Sequence, residues 1–214
     1  MKEPLNVVAF ASGSGTNFQA LVDHVSADGD WRIVGLICNR EDAGVLERAL
    51  RAGIAATVIR TKDRDTAEVA SETLAWLEAA DADLICLAGY MRLIPAQVVA
   101  RFPDRILNVH PALLPEFGGK GMYGMHVHRA AIEAGAKASG PTVHYVDEVY
   151  DRGAIVGQWP VQVRPDDTPE SLAARVLEAE HRLYPIAVDH VCAALRRGVD
   201  PGPLVVPPGR GYGA

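Results

Sequence analysis

The sequence predicts an α/β protein: a single domain built on one mostly parallel, twisted sheet, with helices on both faces in a Rossmann-like order. Three observations lead there. Short β-branched runs recur along the first half of the chain, and helix-period segments separate them. The length, 214 residues, suits one core of ordinary size. No repeat, low-complexity tract or linker interrupts the alternation.

Each element has its own signature. Asn6–Phe10, Ile33–Ile37, Ala56–Ile59, Leu84–Ala88 and Ile106–Val109 read as strands buried on both faces. Helical segments lie between them near Phe18–Val25, Val45–Ala52 and Thr66–Ala80. The last sets Val69, Thr73, Trp76, Leu77 and Ala80 on one face. Strand–helix–strand repetition at this spacing implies right-handed crossovers and parallel pairing.

After Pro111 the pattern changes. Residues 115–125 are glycine-rich and read as a loop, followed by a helix from about His126 to Ala134. Pro141–Val146 and Ile155–Val163 read as two strands, antiparallel to earlier ones. Thr168-Pro169-Glu170 is a helix start, with Thr as cap, Pro in the first turn and an acid near the positive end. Leu172, Val176, Ala179 and Leu183 continue that helix until Pro185, which is expected to kink or break it. Residues 1–200 are expected to form the single domain, with a nucleotide-binding part to about 105 and a catalytic part from about 106. Residues 201–214 read as an irregular tail.

Composition narrows the partners. A net charge of −6 argues against nucleic acid, whose phosphates select basic surfaces. A small anionic ligand needs only a local cluster of donors. Cys38, Cys86 and Cys192 are odd in number and widely spaced, which suits reduced, buried thiols in a cytoplasmic protein. No stretch has the ~20 apolar residues that span a bilayer. The apolar run Val7–Ala11 is too short for a signal peptide. Neither a membrane nor a secretory route is expected.

Ser12-Gly13-Ser14-Gly15-Thr16-Asn17 closes the first strand and opens the first helix. Glycines allow the tight turn, and free N–H groups at a helix start form an anion site. Phosphate binding is the expected use. A dinucleotide fingerprint would need a third glycine where Phe18 stands. A merely structural turn is the plain alternative.

Asn108-Val109-His110-Pro111 ends another buried strand. Alternation puts Asn108 and His110 on one face, and Pro111 stops the ladder at the carboxyl edge, where open α/β sheets bind ligands. An Asn satisfying a turn and a His capping a loop would explain the pair without chemistry. A second cluster is Asp151-Arg152-Gly153, close after Asp147 and Glu148. An Asp beside an imidazole would raise its pKa and hold it protonated. A charged His next to a carboxamide then gives two donors suited to an oxyanion. His126 and His128, with His110 or His144, invite a metal reading, but helical residues two apart point to different sides. No metal is expected.

Five segments in order and spacing carry a resemblance: Ser12–Gln19, Leu87–Arg92, Asn108–Pro115, Asp151–Ile155 and Glu180–Pro185. Together they closely resemble the phosphoribosylglycinamide formyltransferases, folate-dependent enzymes of purine synthesis, over roughly residues 5–195. Other formyltetrahydrofolate users carry relatives of the Asn-x-His-Pro segment. The formyltetrahydrofolate hydrolases and the formyltransferases acting on methionyl-tRNA add further domains, for which this chain has no evident room.

The resemblance implies a formyltransferase fold and two small-molecule substrates, 10-formyltetrahydrofolate and glycinamide ribonucleotide, in a monomer or homodimer. It implies Gly15, Thr16 and Asn17 at the ribonucleotide phosphate and Glu180 at its ribose. It implies Arg64 and the strip Met91, Arg92, Leu93 and Ile94, together with Asn108, at the folate. The catalytic set it implies is Asn108, His110 and Asp151, with protonated His110 stabilising the oxyanion of direct acyl transfer. Hydrolysis of the formyl group by water is the alternative. Ala154 departs from the proline often found there, and the loop Phe117–Gly124, with Lys120, is longer than in short family members. That loop reads equally as a lid or a surface excursion.

Overall fold

The computed structural model describes residues 3–26 and 29–206. In chain order the elements are β1 (Leu5–Ala11), α1 (Thr16–His24), β2 (Trp31–Cys38), α2 (Val45–Ala52), β3 (Ala56–Val58), α3 (Thr66–Ala79), β4 (Leu84–Leu87) and α4 (Ala96–Arg101). There follow β5 (Ile106–His110), α5 (Met125–Glu133), β6 (Ala138–Ser139), β7 (Thr142–Tyr145), β8 (Ile155–Gln158), β9 (Val161–Gln162) and α6 (Pro169–Arg197).

Seven strands form one sheet in the order β3-β2-β1-β4-β5-β7-β8, and β6 pairs with β9 in a separate ribbon. The first five are parallel, while β7 runs antiparallel to β5 and β8 antiparallel to β7. The sheet is continuous across residue 105, so both parts of the expected domain share one set of hydrogen bonds.

Strand alternation sorts the core onto two faces. Val7, Ala9, Cys86 and Leu107 pack with Phe18 and Leu21 of α1, Ala49 of α2, Ala131 of α5 and a long stripe of α6. Val8, Phe10, Ile85 and Ile106 point the other way, onto Val69 and Leu77 of α3 and Val98 of α4. Helices therefore cover both faces, as the uninterrupted apolar runs require. All three cysteines are buried free thiols.

Chain order fixes where a ligand can sit. From β1 the chain moves through α1 to β2 on one side, then returns past β3 to place β4 on the other. The reversal opens a crevice between the carboxyl ends of β1 and β4. The loops leaving these strands are tied together: the Ser12 N–H donates to the Gly89 carbonyl at 3.1 Å, and the Met91 N–H donates to Ser12 Oγ at 2.8 Å.

Two expectations are corrected, while the described tail, residues 201–206, has no regular secondary structure. The helix opened by Thr168, whose hydroxyl accepts from the Ser171 N–H, runs unbroken through Pro185 to Arg197. Pro185 removes one N–H, but Leu183, Tyr184, Ala187 and Val188 are all fully buried, and that packing outweighs one lost bond. The run 155–163 is two strands, β8 and β9, interrupted at Trp159-Pro160. The tail is only partly irregular in its packing: the Leu204 N–H bonds the Val156 carbonyl at 2.6 Å, and Leu204 lies over Gly157. Beyond 206 it falls outside the described residues. The short α4 and β6 have no counterpart in the sequence reading, since six and two residues are too few for a period to show.

Candidate active site

The glycine turn leads directly into α1. Gly15 caps the helix with φ 76°, a conformation that L side chains avoid, and a Cβ there would sit 2.5 Å from Val45 Cγ2. No side chain caps the helix, so its first N–H groups face the crevice mouth free for an anion. Thr16 is half-buried and Asn17 buried. Asn17 Nδ2 donates to Glu180 Oε2 at 2.6 Å, which brings α6 across the turn. Burial pushes the Glu180 carboxyl up to about 7, against the Asn17 hydrogen bond, which pulls it down. Asn17 Oδ1 is buried with no partner, a polar atom aimed at something the chain does not supply.

Tyr184, one turn beyond Glu180, anchors α6 to the sheet. Its hydroxyl lies 3.2 Å from the Leu87 carbonyl and 3.1 Å from the Leu107 carbonyl, so its proton is shared between the ends of β4 and β5.

The strip after β4 is mixed. Met91 and Leu93 are about half exposed, Arg92 is exposed, and Ile94 is buried beneath them with Phe10 and Leu87. Half-exposed apolar side chains at a crevice edge suit an aromatic ring better than water. Arg64, between β3 and α3, pairs with Glu72 at 2.6 Å. Among the described residues no hydrogen bond or ion pair joins it to the strip.

At the end of β5 the expected trio comes together with a fourth member. Asp151 approaches His110, its Oδ2 lying 3.6 Å from Nδ1, and is the acid nearest that ring; Asp147 caps its own turn through the Val149 N–H. His110 Nε2 donates to the Phe117 carbonyl at 2.9 Å, since a carbonyl can only accept. Asp151 accepts the Gly119 N–H at 2.8 Å. Thus the glycine-rich loop contacts the His110–Asp151 pair at Phe117 and Gly119.

The fourth member is His144. It lies opposite Asn108 in the β5–β7 ladder, and directly opposed residues share a face. Its Nδ1 lies 2.7 Å from the Tyr145 carbonyl and so carries the proton. In the neutral ring Nε2 is then the acceptor for Asn108 Nδ2, 3.1 Å away. This fixes the carboxamide with one N–H used and the other free. Asp151 Oδ1 is also 3.6 Å from His144 Nε2. The sequence considered His144 only as a metal ligand; its place opposite Asn108 needed the β5–β7 register.

Burial works against the protonated His110 expected from sequence. His110 is 4% exposed, and burial lowers its pKa below the ordinary value despite the upward pull of Asp151 and the Phe117 bond. The resting imidazole is neutral at pH 7. Burial raises the Asp151 carboxyl, but His144, His110 and the Gly119 N–H together bring it below its usual value. The site holds a carboxylate beside a neutral histidine, poised to accept a proton.

Backbone constraints set the Asp151 loop. Asp151 itself has φ 56°, and a Cβ on Gly153 would fall on the Tyr145 carbonyl oxygen. The segment after His110 is held by Thr142, which donates to the Ala112 carbonyl and accepts from the Leu114 N–H. Gln158 Nε2 donates to both Thr142 Oγ1 and the Leu114 carbonyl at 2.9 Å. Among the described residues no group of three or more His, Cys, Asp or Glu could hold a metal ion, and no helix is long and apolar enough to cross a membrane.

Comparison with known proteins agrees with this arrangement. The model of the formyl transferase family matches residues 5–188. The chain is 45% identical over 191 residues to the chloroplastic phosphoribosylglycinamide formyltransferase of Arabidopsis thaliana, covering 87% of this chain but 65% of that protein. It is 35% identical over 191 residues to the phosphoribosylglycinamide formyltransferase of Bacillus subtilis, covering 88% of this chain and 95% of that one. A crystal structure of phosphoribosylglycinamide formyltransferase from Brucella melitensis superposes with a TM-score of 0.82 at 43% identity, covering 89% and 97% of the two chains. With the family model matched over residues 5–188 and the fold superposing on that crystal structure, the chain belongs to the formyl transferase family.

Proposed function

We propose that this protein transfers the formyl group of 10-formyltetrahydrofolate to the amine of glycinamide ribonucleotide, giving the formylated ribonucleotide and tetrahydrofolate. The observation that carries the reading is one crevice with two ends: an anion-ready helix start beside Glu180, and a polar cluster of Asn108, His110, His144 and Asp151. The names of two relatives, both phosphoribosylglycinamide formyltransferases, support formyl transfer to that acceptor.

The ribonucleotide phosphate sits on Gly15, Thr16 and Asn17, with its ribose against Glu180. The pterin lies along Met91–Ile94, packed on Leu93 and Ile94, with Arg64 near the acidic end of the folate. The neutral amine attacks the formyl carbon, and the free N–H of Asn108 stabilises the oxygen that becomes negative. His110 takes the amine proton on Nδ1, where the Asp151 carboxylate faces the new positive charge. The proton then passes to N10 of the folate, directly or through water, and the carbon–N10 bond breaks. Holding both substrates in one crevice removes the entropy cost of their encounter. This revises the role expected from sequence: His110 acquires its charge during the reaction.

The test is the absorbance change on loss of 10-formyltetrahydrofolate, followed with and without glycinamide ribonucleotide. Turnover that requires the ribonucleotide supports transfer. Equal turnover without it would make the protein a hydrolase, and none in either case would remove the enzymatic reading.

A further inference from the structure

A phosphate monoester carries about −1.5 to −2 charges near neutrality, while a helix start offers roughly half a positive charge. With a net charge of −6, the chain has no general basic surface to make up the difference. A side-chain cation at the turn would supply part of that difference.

Arg48, on α2, stands at the turn. Its Nε–H donates to the Ser14 carbonyl at 2.8 Å, and Nη1 donates to Gln19 Oε1 at 3.2 Å. Among the described residues it is the one cationic side chain hydrogen-bonded to the glycine turn. Two bonds leave the rest of its planar fork of donors unused. Its charge bears on His181, the residue after Glu180 on α6. His181 Nε2 is buried without a partner, as is Oδ1 of the 8%-exposed Asn17. At the turn itself, Arg48 sets a cation beside the start of α1, whose first N–H groups no side chain caps.

Resting on the ribonucleotide reading above, we infer that Arg48 is a binding residue for the acceptor's phosphate, pre-positioned by the Ser14 carbonyl and Gln19. The turn carbonyl aims the fork and the phosphate completes it, so the interaction discriminates phosphorylated from unphosphorylated acceptors.

The experiment compares kcat/KM for glycinamide ribonucleotide and for the unphosphorylated riboside, in the wild type, Arg48→Gln and Arg48→Lys. The ratio of ribonucleotide to riboside should fall tenfold or more in Arg48→Gln and recover in part in Arg48→Lys. An unchanged ratio, with both acceptors weakened alike, would make Arg48 only a brace for the turn and overturn the inference. Calorimetric binding of ribose 5-phosphate to the wild type and to Arg48→Gln gives a readout independent of turnover. A tenfold or greater weakening supports the phosphate role even for a protein that transfers no formyl group, and equal affinity contradicts it.

Discussion

Asn17 Nδ2 and Glu180 Oε2, 163 residues apart, meet at 2.6 Å across the mouth of the crevice. This bond joins the first turn of α1 to the interior of α6 and buries a carboxyl group that would be ionised in water. Its pKa, about 7 against an ordinary 4.5, means the native state holds the proton more tightly than the unfolded chain. Between about pH 4.5 and 7 stability therefore falls as pH rises, and the full cost is present above that window.

Glu180→Gln keeps an acceptor for Asn17 and removes the buried charge. It should raise the melting temperature by several degrees above pH 7, a gain on the order of 3 kcal/mol from the size of the shift, with little difference near pH 4.5. The same substitution should raise KM for the ribonucleotide. Thermal unfolding of both proteins across pH checks this, and a destabilised variant at pH 8 would refute the burial argument.

His110 should titrate below about 6.5, its ordinary value, because burial outweighs the pull of Asp151. Proton NMR titration, with the resonance assigned by its loss in His110→Ala, measures this. A value above that reference would restore the protonated histidine expected from sequence. His110→Ala itself should lower kcat by roughly 10²–10⁴-fold and change both KM values far less.

His144→Phe removes the acceptor that orients the Asn108 carboxamide. Turnover should fall by about 10–100-fold, near the low end of what one lost oxyanion donor costs, with folate affinity nearly kept. Wild-type kcat would show that Asn108 is oriented by other means.

Gly153→Ala would drive a methyl group into the Tyr145 carbonyl, two residues from Asp151. The loop must shift, at a cost of about 1–3 kcal/mol, and Asp151 moves with it. Steady-state kinetics should show a loss of kcat larger than the loss of stability explains at assay temperature. A variant with unchanged kcat and melting temperature would mean that the loop tolerates the displacement.

Most of the sheet was legible because parallel, doubly buried strands write themselves as apolar runs such as Leu84–Ala88. The long helix was legible at its Thr168-Pro169 start but not in its passage through Pro185, where the burial of Tyr184 and Ala187 decides. Asn108, His110 and Asp151 were each visible as polar residues at element ends. The resemblance already implied Asp151 over Asp147; the mutual distances, with Asp151 nearest His110, came from tertiary structure. His144 and Arg48 were invisible as site residues, since one depends on antiparallel register and the other on the docking of α2 against a turn. The opposing pull of burial on His110 was not legible, because a sequence reveals a neighbouring carboxylate more readily than the depth of burial.

The most direct measurement uses 10-formyltetrahydrofolate labelled with carbon-13 in its formyl group, incubated with enzyme and glycinamide ribonucleotide and followed by NMR. Transfer as described puts the label on the acceptor's amine as a formamide, one for each tetrahydrofolate formed. Label appearing as free formate at the same rate with or without the acceptor would contradict it.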